Sequence, residues 1–222
     1  TKPLQWLRAF GCVNDQLQPV VTGPCRTFEP ATADGFAYHP HSTKHPPSEP
    51  YPNKDDASIA SLKRVEKVLD HLQNTGRLIG TTNPLGLWLD EYAYQTNPPD
   101  KLRGVTPGRQ DRYLREAAYI AWRNPRVQMI AQYLWQDERM AGGKRYTGWQ
   151  SGLLTIDGEP KPALANFDDP MWVDVRRNVI WGQIRPGAEH DVEVQMRPPG
   201  VSTAWQTVRQ VRTTADGSWF VE

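Results

Sequence analysis

The sequence predicts an α/β fold with parallel strands, followed by a small all-β module. Three observations predict it. Runs that are apolar on both faces alternate with stretches of helical period. Polar residues gather where each apolar run ends. Beyond Phe167-Asp168-Asp169-Pro170 the texture changes to short alternating segments separated by turns rich in Gly and Pro.

The elements follow in order. Residues 1–34 read as a short amphipathic segment (Leu4, Trp6, Leu7, Phe10) and then an irregular loop. Residues 35–40 are short, apolar and aromatic, and a long polar loop, 41–54, follows; that is the look of a buried strand opening into a functional loop. From Asp55 the period becomes helical. Ile59, Leu62, Val65, Leu69 and Leu72 fall on one face, Asp55 or Asp56 offers an N-cap, and Gly76 stands where the helix should stop. Residues 85–92, continuously apolar and ending in Asp90-Glu91, suit a parallel strand covered on both sides. Thr106-Pro107 then caps a second helix that turns Leu114, Ala117, Ala118 and Ala121 inward. Asn124-Pro125 breaks it, and residues 127–135 read as a third strand ending in Gln136, Asp137 and Glu138. In the all-β part, strands are expected over 173–184, 192–196, 207–213 and 219–221.

Composition narrows the function. A formal net charge of +1 gives no basic field for nucleic acid and no acidic excess typical of disorder. No apolar run approaches the ~20 residues of a membrane span. The 20 prolines suggest stiffened loops, and the 9 tryptophans suggest platforms for flat amphipathic ligands as well as core. The start, Thr-Lys-Pro-Leu-Gln, carries neither an initiator Met nor a signal peptide, so a processed chain or a piece of a longer protein is expected. Cys12 and Cys25 flank a loop with Pro19, Gly23 and Pro24. A local disulfide, in keeping with export, is expected there, two buried thiols being the alternative.

Strand alternation organises the candidate site. If Glu91 faces the cavity at the strand ends, then Leu85, Leu87 and Leu89 share its side, while Trp88 and Asp90 face the helices. His39 shares a side with Gly35 and Ala37; Trp135 aligns with Met129, Ala131 and Tyr133. A His, a Glu and a Trp thus meet at the ends of three successive strands. Charge for an anomeric carbon, donors for hydroxyls and a flat face for a ring suit a pyranose. His39, His41 and His45 read as solvated loop histidines, and neither a metal nor a cofactor is expected. Asp137 and Glu138 read as capping or ion-pairing groups.

At these residues the chain resembles the clan of retaining (β/α)8 glycoside hydrolases. Trp88-Leu89-Asp90-Glu91-Tyr92 is similar to their seventh strand, whose terminal Glu is the nucleophile. Gln132-Tyr133-Leu134-Trp135 with Asp137 is similar to the eighth, whose Trp floors the subsite beside the cleaved bond, and Phe36-Ala37-Tyr38-His39 to the sixth. Ser151-Gly152-Leu153-Leu154 and Asp157-Gly158-Glu159-Pro160-Lys161-Pro162-Ala163 resemble the stretch before the last helix of cellulase-like and xylosidase-like members. The resemblance covers roughly residues 1–167 and implies that they are the C-terminal part of a (β/α)8 barrel; 168–222 read from their short alternating segments as a β-sandwich (Ig-like) module, whether complete or incomplete, that matches only in general character. It implies a retaining glycosidase of an extracellular poly- or oligosaccharide. Glu91 is then the nucleophile, with His39, His41, Gln132, Tyr133 and Trp135 binding substrate. The clan's acid/base residue follows an Asn, and no Asn-Glu pair occurs here, so that group and the N-terminal half of the barrel are expected outside these residues. Two rivals remain: a carbohydrate-binding or scaffold protein on the same fold without turnover, and a β-module that binds sugar through Trp172, Trp181, Trp205 and Trp219.

Overall fold

The computed structural model describes residues 2–139, 148–200 and 204–222. Those residues form a mixed α/β molecule with four sheets, two of them parallel and two antiparallel. After α1 (Pro3–Phe10), β1 (Ala31–Ala33) pairs in parallel with β3 (Leu78–Gly80). A second parallel sheet has the order β2 (Gly35–Ala37), β4 (Gly86–Tyr92), β5 (Val127–Gln132). The helix α2 (Leu62–Asn74) leads from β2 towards β3 and β4, and α3 (Pro107–Trp122) joins β4 to β5. The β1–β3 pair was not expected: three-residue strands are too short to carry a period. The second sheet is open, and no described strand extends it beyond β2 or β5.

Both helices stop and start on local chemistry. At the end of α2, Gly76 has φ +68°, the Gly76 N–H donates to Gln73 O and the Arg77 N–H to Leu72 O. Those are the two bonds of a Schellman motif, and only glycine adopts that φ without strain. Thr106 caps α3, its hydroxyl accepting from the Arg109 N–H, with Pro107 in the first turn. The start of α2 differs from expectation. A 3-10 turn, Ile59–Ser61, precedes it, and neither Asp55 nor Asp56 caps it. Asp55 is buried against the Arg8 guanidinium at 2.9 Å, and Asp56 meets the Lys2 ammonium at 2.7 Å. Tertiary ion pairs outbid the local cap.

The main core lies between the β2–β4–β5 sheet and the two long helices. Leu85, Leu87 and Leu89 are fully buried, in one cluster with Val65, Leu69 and Leu72 of α2 and Ala117 and Ala121 of α3. Each buried Leu contributes about 1.5–3 kcal/mol relative to exposure. The leucines therefore face the helices, which corrects the expected alternation. Trp88, expected against the helices, is 40% exposed on the opposite face. There its indole lies over Gly35, where a Cβ would come within 3.1 Å of the ring, and Nε1–H donates to Gln128 Oε1 at 2.6 Å. Helix-side burial needed aliphatic residues that fit ridges of Leu and Ala, and the indole took the side where glycine leaves room.

The expected strand over 173–184 is two strands. β6 (Met171–Asp174) and β7 (Val179–Gln183) form a hairpin, with Asn178 at φ 56° in its turn. β10 (Ser218–Val221) adds to β7, and β8 (Asp191–Met196) pairs with β9 (Gln206–Arg212). The fully buried Trp181 packs between Tyr119 and Trp122 of α3, ring centroids 5.7 and 5.6 Å away, and the Tyr119 hydroxyl donates to Asp174 at 3.0 Å. Trp219 is also buried and covers Gly182, where any Cβ would meet its indole at 2.3 Å. These two tryptophans are thus core, whereas Trp205 is 56% exposed. Trp181→Ala should cost about 3–5 kcal/mol, the range for emptying a large aromatic site. Chemical denaturation with a shift under about 1 kcal/mol would sink this account of how the β-strands are anchored.

Cys12 and Cys25 form a disulfide. It closes the loop after α1, which Arg77 ties down by donating to Gly11 O and Cys12 O at 2.9 and 3.0 Å. Closing 13 residues of separation stabilises by roughly 3 kcal/mol in the chain-entropy model. Paired Cys12→Ser and Cys25→Ser replacement should lower the denaturation free energy by about that amount. Alkylation of the unreduced protein should add no mass; two labelled thiols would contradict the bond.

Candidate active site

The register of the parallel sheet brings the acids and histidines together. Leu89 pairs with Ile130 and Tyr92 with Gln132, so β4 spends one residue more than β5 over this stretch. Such an irregularity re-aims side chains at a strand end. Asp90 already lies on the open face with Trp88. The extra residue brings Glu91 there too, while Tyr92 returns to the helix-side core. Both carboxylates therefore approach one imidazole: His39 Nε2 is 3.3 Å from Asp90 Oδ1 and His39 Nδ1 is 3.3 Å from Glu91 Oε2. Neither contact has hydrogen-bond geometry, and Asp90 Oδ1 is buried without any other partner.

His41 completes the cluster. A tight turn in which the His41 N–H donates to His39 O at 2.9 Å sets the two rings edge-on, centroids 6.2 Å apart. Ligand atoms of His39, His41 and Glu91 all lie within 4.8 Å of one another. The His41 ring stacks on Tyr92 at 6.2 Å and 13°. Burial first, and then the neighbouring His39, pull its pKa below the usual imidazole value, against the Glu91 carboxylate and the Ala93 carbonyl. Beneath it runs a chain of hydroxyls. Tyr92 Oη lies within hydrogen-bond distance of Ser42 Oγ and Tyr94 Oη, at 3.4 and 3.2 Å, and Tyr94 donates to His45 O at 2.8 Å. Burial drives both phenols well above the ordinary tyrosine range. They are permanent donors that shape the loop carrying the histidines. His45 itself points elsewhere, towards Glu49 at 3.1 Å.

The other candidates separate. Tyr133 lies just beyond β5, where its ring meets Trp149 edge-on at 6.0 Å. Burial, then the Glu138 and Glu91 carboxylates, raise its phenol pKa, which puts it within the field of the cluster. Trp135 is 59% exposed, the most open of the tryptophans with Trp205, and its carbonyl accepts from the Leu153 and Leu154 N–H groups. Gln132 is spent internally: its amide donates to Ser151 O at 2.7 Å and Leu134 O at 3.1 Å. It lines a small cavity on the helix side of the sheet, with Ile130, Ala131 and Arg115, away from the acids. Asp137 is buried, paired with Lys161 at 2.7 Å and accepting from the Gly152 N–H. Glu138 accepts from the Trp149 N–H at 2.9 Å.

Sequence reasoning passed over Asp90, Tyr94 and Lys161. The Tyr-x-Tyr spacing after the acids was visible; the irregularity that turns Asp90 and Glu91 to one side was not.

The fold and site define an α/β protein with an acid–imidazole cluster at the C-terminal ends of parallel strands. Neither a protein-family model nor a curated protein matches the sequence. Solved structures to which it is similar are glycoside hydrolases. One is a family 39 glycoside hydrolase from the gut symbiont Bacteroides cellulosilyticus, at 13% identity and a TM-score of 0.46, over 84% of this chain and 44% of that one. Another is a β-glucuronidase from Ruminococcus gnavus, at 15% identity and a TM-score of 0.36, over 60% of this chain and 22% of that one. The chain thus spans less than half the length of these structures. No helix among the described residues is long and apolar enough to cross a membrane.

Proposed function

We propose that this protein is a retaining glycoside hydrolase acting on an oligo- or polysaccharide, with Glu91 as nucleophile. In this reading residues 1–167 are the C-terminal part of a (β/α)8 barrel and 168–222 a β-sandwich module. The observation that carries it is Glu91 itself. It stands at the C-terminal end of the central parallel strand, about a third exposed (35%), with its Oε2 3.3 Å from a ring nitrogen of His39. Active sites of parallel α/β folds gather at that end. A nucleophile must be reachable by the substrate, and the partly exposed Glu91 carboxylate is. Asp90 stands 3.3 Å from the other His39 nitrogen. Tyr133 and the exposed Trp135 contribute donors and a flat apolar face for the sugar; Gln132 acts through the Ser151 backbone. The acid/base carboxyl and the remaining strands come from a preceding half of the barrel. The disulfide suits an extracellular setting.

The test is covalent trapping in protein carrying the whole barrel. A 2-fluoro glycoside with a dinitrophenyl leaving group needs no acid to depart, so labelling reads the nucleophile alone. Peptide mapping should place the adduct on Glu91. An adduct on Asp90, Asp137 or Glu138 would reject the assignment. A protein that binds oligosaccharide yet is never labelled or turned over would favour a non-catalytic carbohydrate-binding protein instead.

A further inference from the structure

We propose that His39, His41 and Glu91 form a divalent transition-metal site of the open, three-ligand type, selective for zinc-like cations over magnesium or calcium. Two imidazoles and one carboxylate are the donor set of many such sites, whereas magnesium and calcium require oxygen throughout. The spacing fits. A tetrahedral ion with bonds of about 2.0–2.2 Å has ligand-to-ligand edges of roughly 3.3–3.6 Å. His39 Nδ1 and Glu91 Oε2 stand 3.3 Å apart, one such edge already formed. The remaining separations do not exceed 4.8 Å, and metal binding requires the His41 ring to move towards the other two ligands.

The surroundings carry the second part of the argument. A metal-bound histidine ordinarily gives its other N–H to a carboxylate or a carbonyl, which holds the ring and raises its basicity. His39 presents Nε2 to Asp90 Oδ1 at 3.3 Å, and that oxygen is buried with no hydrogen-bond partner. The His41 ring lies nearly parallel to the Tyr92 ring, centroids 6.2 Å apart. Charge balances as well. A dication with Glu91 as ligand and Asp90 behind His39 leaves the site neutral, with both imidazoles neutral. With two ligands on the loop after β2 and one at the end of β4, room is left for water or another donor from the open side.

The binding stands on this geometry alone; its consequence for turnover rests on the glycosidase reading. A cation seated here holds the Glu91 oxygen that would attack the sugar, so zinc should inhibit and a chelator should restore activity.

Chelator-treated protein would be titrated with Co2+ and then Zn2+. One saturable Co2+ site is expected, with the visible absorption of a four- or five-coordinate ion, bleached by one equivalent of Zn2+. His39→Gln and His41→Gln should each abolish it, and Asp90→Asn should weaken binding about 10–100-fold. Circular dichroism identifies variants that fail to fold, and His39→Ala and His41→Ala stand in for them. Absence of saturable binding in the wild type overturns the proposal. So does binding that survives both histidine substitutions, because His45, His71 or His190 would then be the ligands. Zinc binding without any Glu91 adduct would leave the site intact and sink only the glycosidase reading.

Discussion

Glu91→Gln, in protein carrying the complete barrel, is expected to fold normally, bind oligosaccharide, and lose at least about 100-fold in kcat, the general scale for removing a catalytic group. Gln keeps the volume and the hydrogen-bonding reach towards His39 but cannot form the glycosyl ester. The loss should therefore fall on kcat and leave KM nearly unchanged, because the interaction removed exists only along the reaction path. The contrast with Asp90 sharpens the test. Asp90 reaches only the far nitrogen of His39, at 3.3 Å. Asp90→Asn should lower kcat far less than Glu91→Gln and alter its pH profile, because it changes how the imidazole is held. Near-normal turnover of Glu91→Gln, measured on an aryl glycoside with an activated leaving group, would show that the nucleophile is another residue.

The second large effect concerns the pair beneath the candidate sugar platform. Lys161 and Asp137 are both buried, and the Lys161 ammonium donates to Asp137 Oδ1 at 2.7 Å, to Thr96 Oγ1 at 2.9 Å and to Gln150 O at 3.2 Å. The ammonium thus ties the segment after β4 to the segment after β5 and to the strand-like turns around residues 150–161. Burial pulls its pKa below the ordinary lysine value, and the Asp137 carboxylate opposes that. Asp137→Ala leaves the ammonium buried without its counter-ion and frees the Gly152 N–H. A loss of about 3–5 kcal/mol is expected, the scale for breaking one half of a buried pair. For a chain of this size that is a fall in Tm of roughly 6–20 °C. The double variant Asp137→Leu with Lys161→Met should recover much of it, since two apolar groups of similar size leave no charge stranded. A single variant within about 1 kcal/mol of wild type would show that the pair is solvated in solution. Trp135 offers a local reporter: its carbonyl receives the Leu153 and Leu154 N–H groups. Its fluorescence should therefore shift in Asp137→Ala and return in the double variant.

Much of this was legible in the linear chain. Periods of 3.6 over 62–72 and the Thr106-Pro107 cap mark two helices, and Gly76 marks a stop, because backbone sterics and capping are local properties. Continuous apolar runs ending in acids mark the strands that carry the candidate site, and the loop between Cys12 and Cys25 suggested a disulfide with two buried thiols as the alternative. Glu91 and His39 were nameable because strand ends concentrate polar residues. What the chain by itself did not determine is which face each strand shows. Alternation assigns two sides but not which is which, and one register irregularity between Leu89 and Tyr92 overrides it. Only packing decided that Leu85, Leu87 and Leu89 turn to the helices, that Trp88 lies over Gly35, and that Asp90 and Glu91 converge on a single imidazole. Likewise Asp55 left its capping position for Arg8, and Lys161 found Asp137 across 24 residues of chain. Local sterics act over a few residues and are written in the order of the sequence. Burial and charge pairing act through space, so they are settled when the helices close on the sheet.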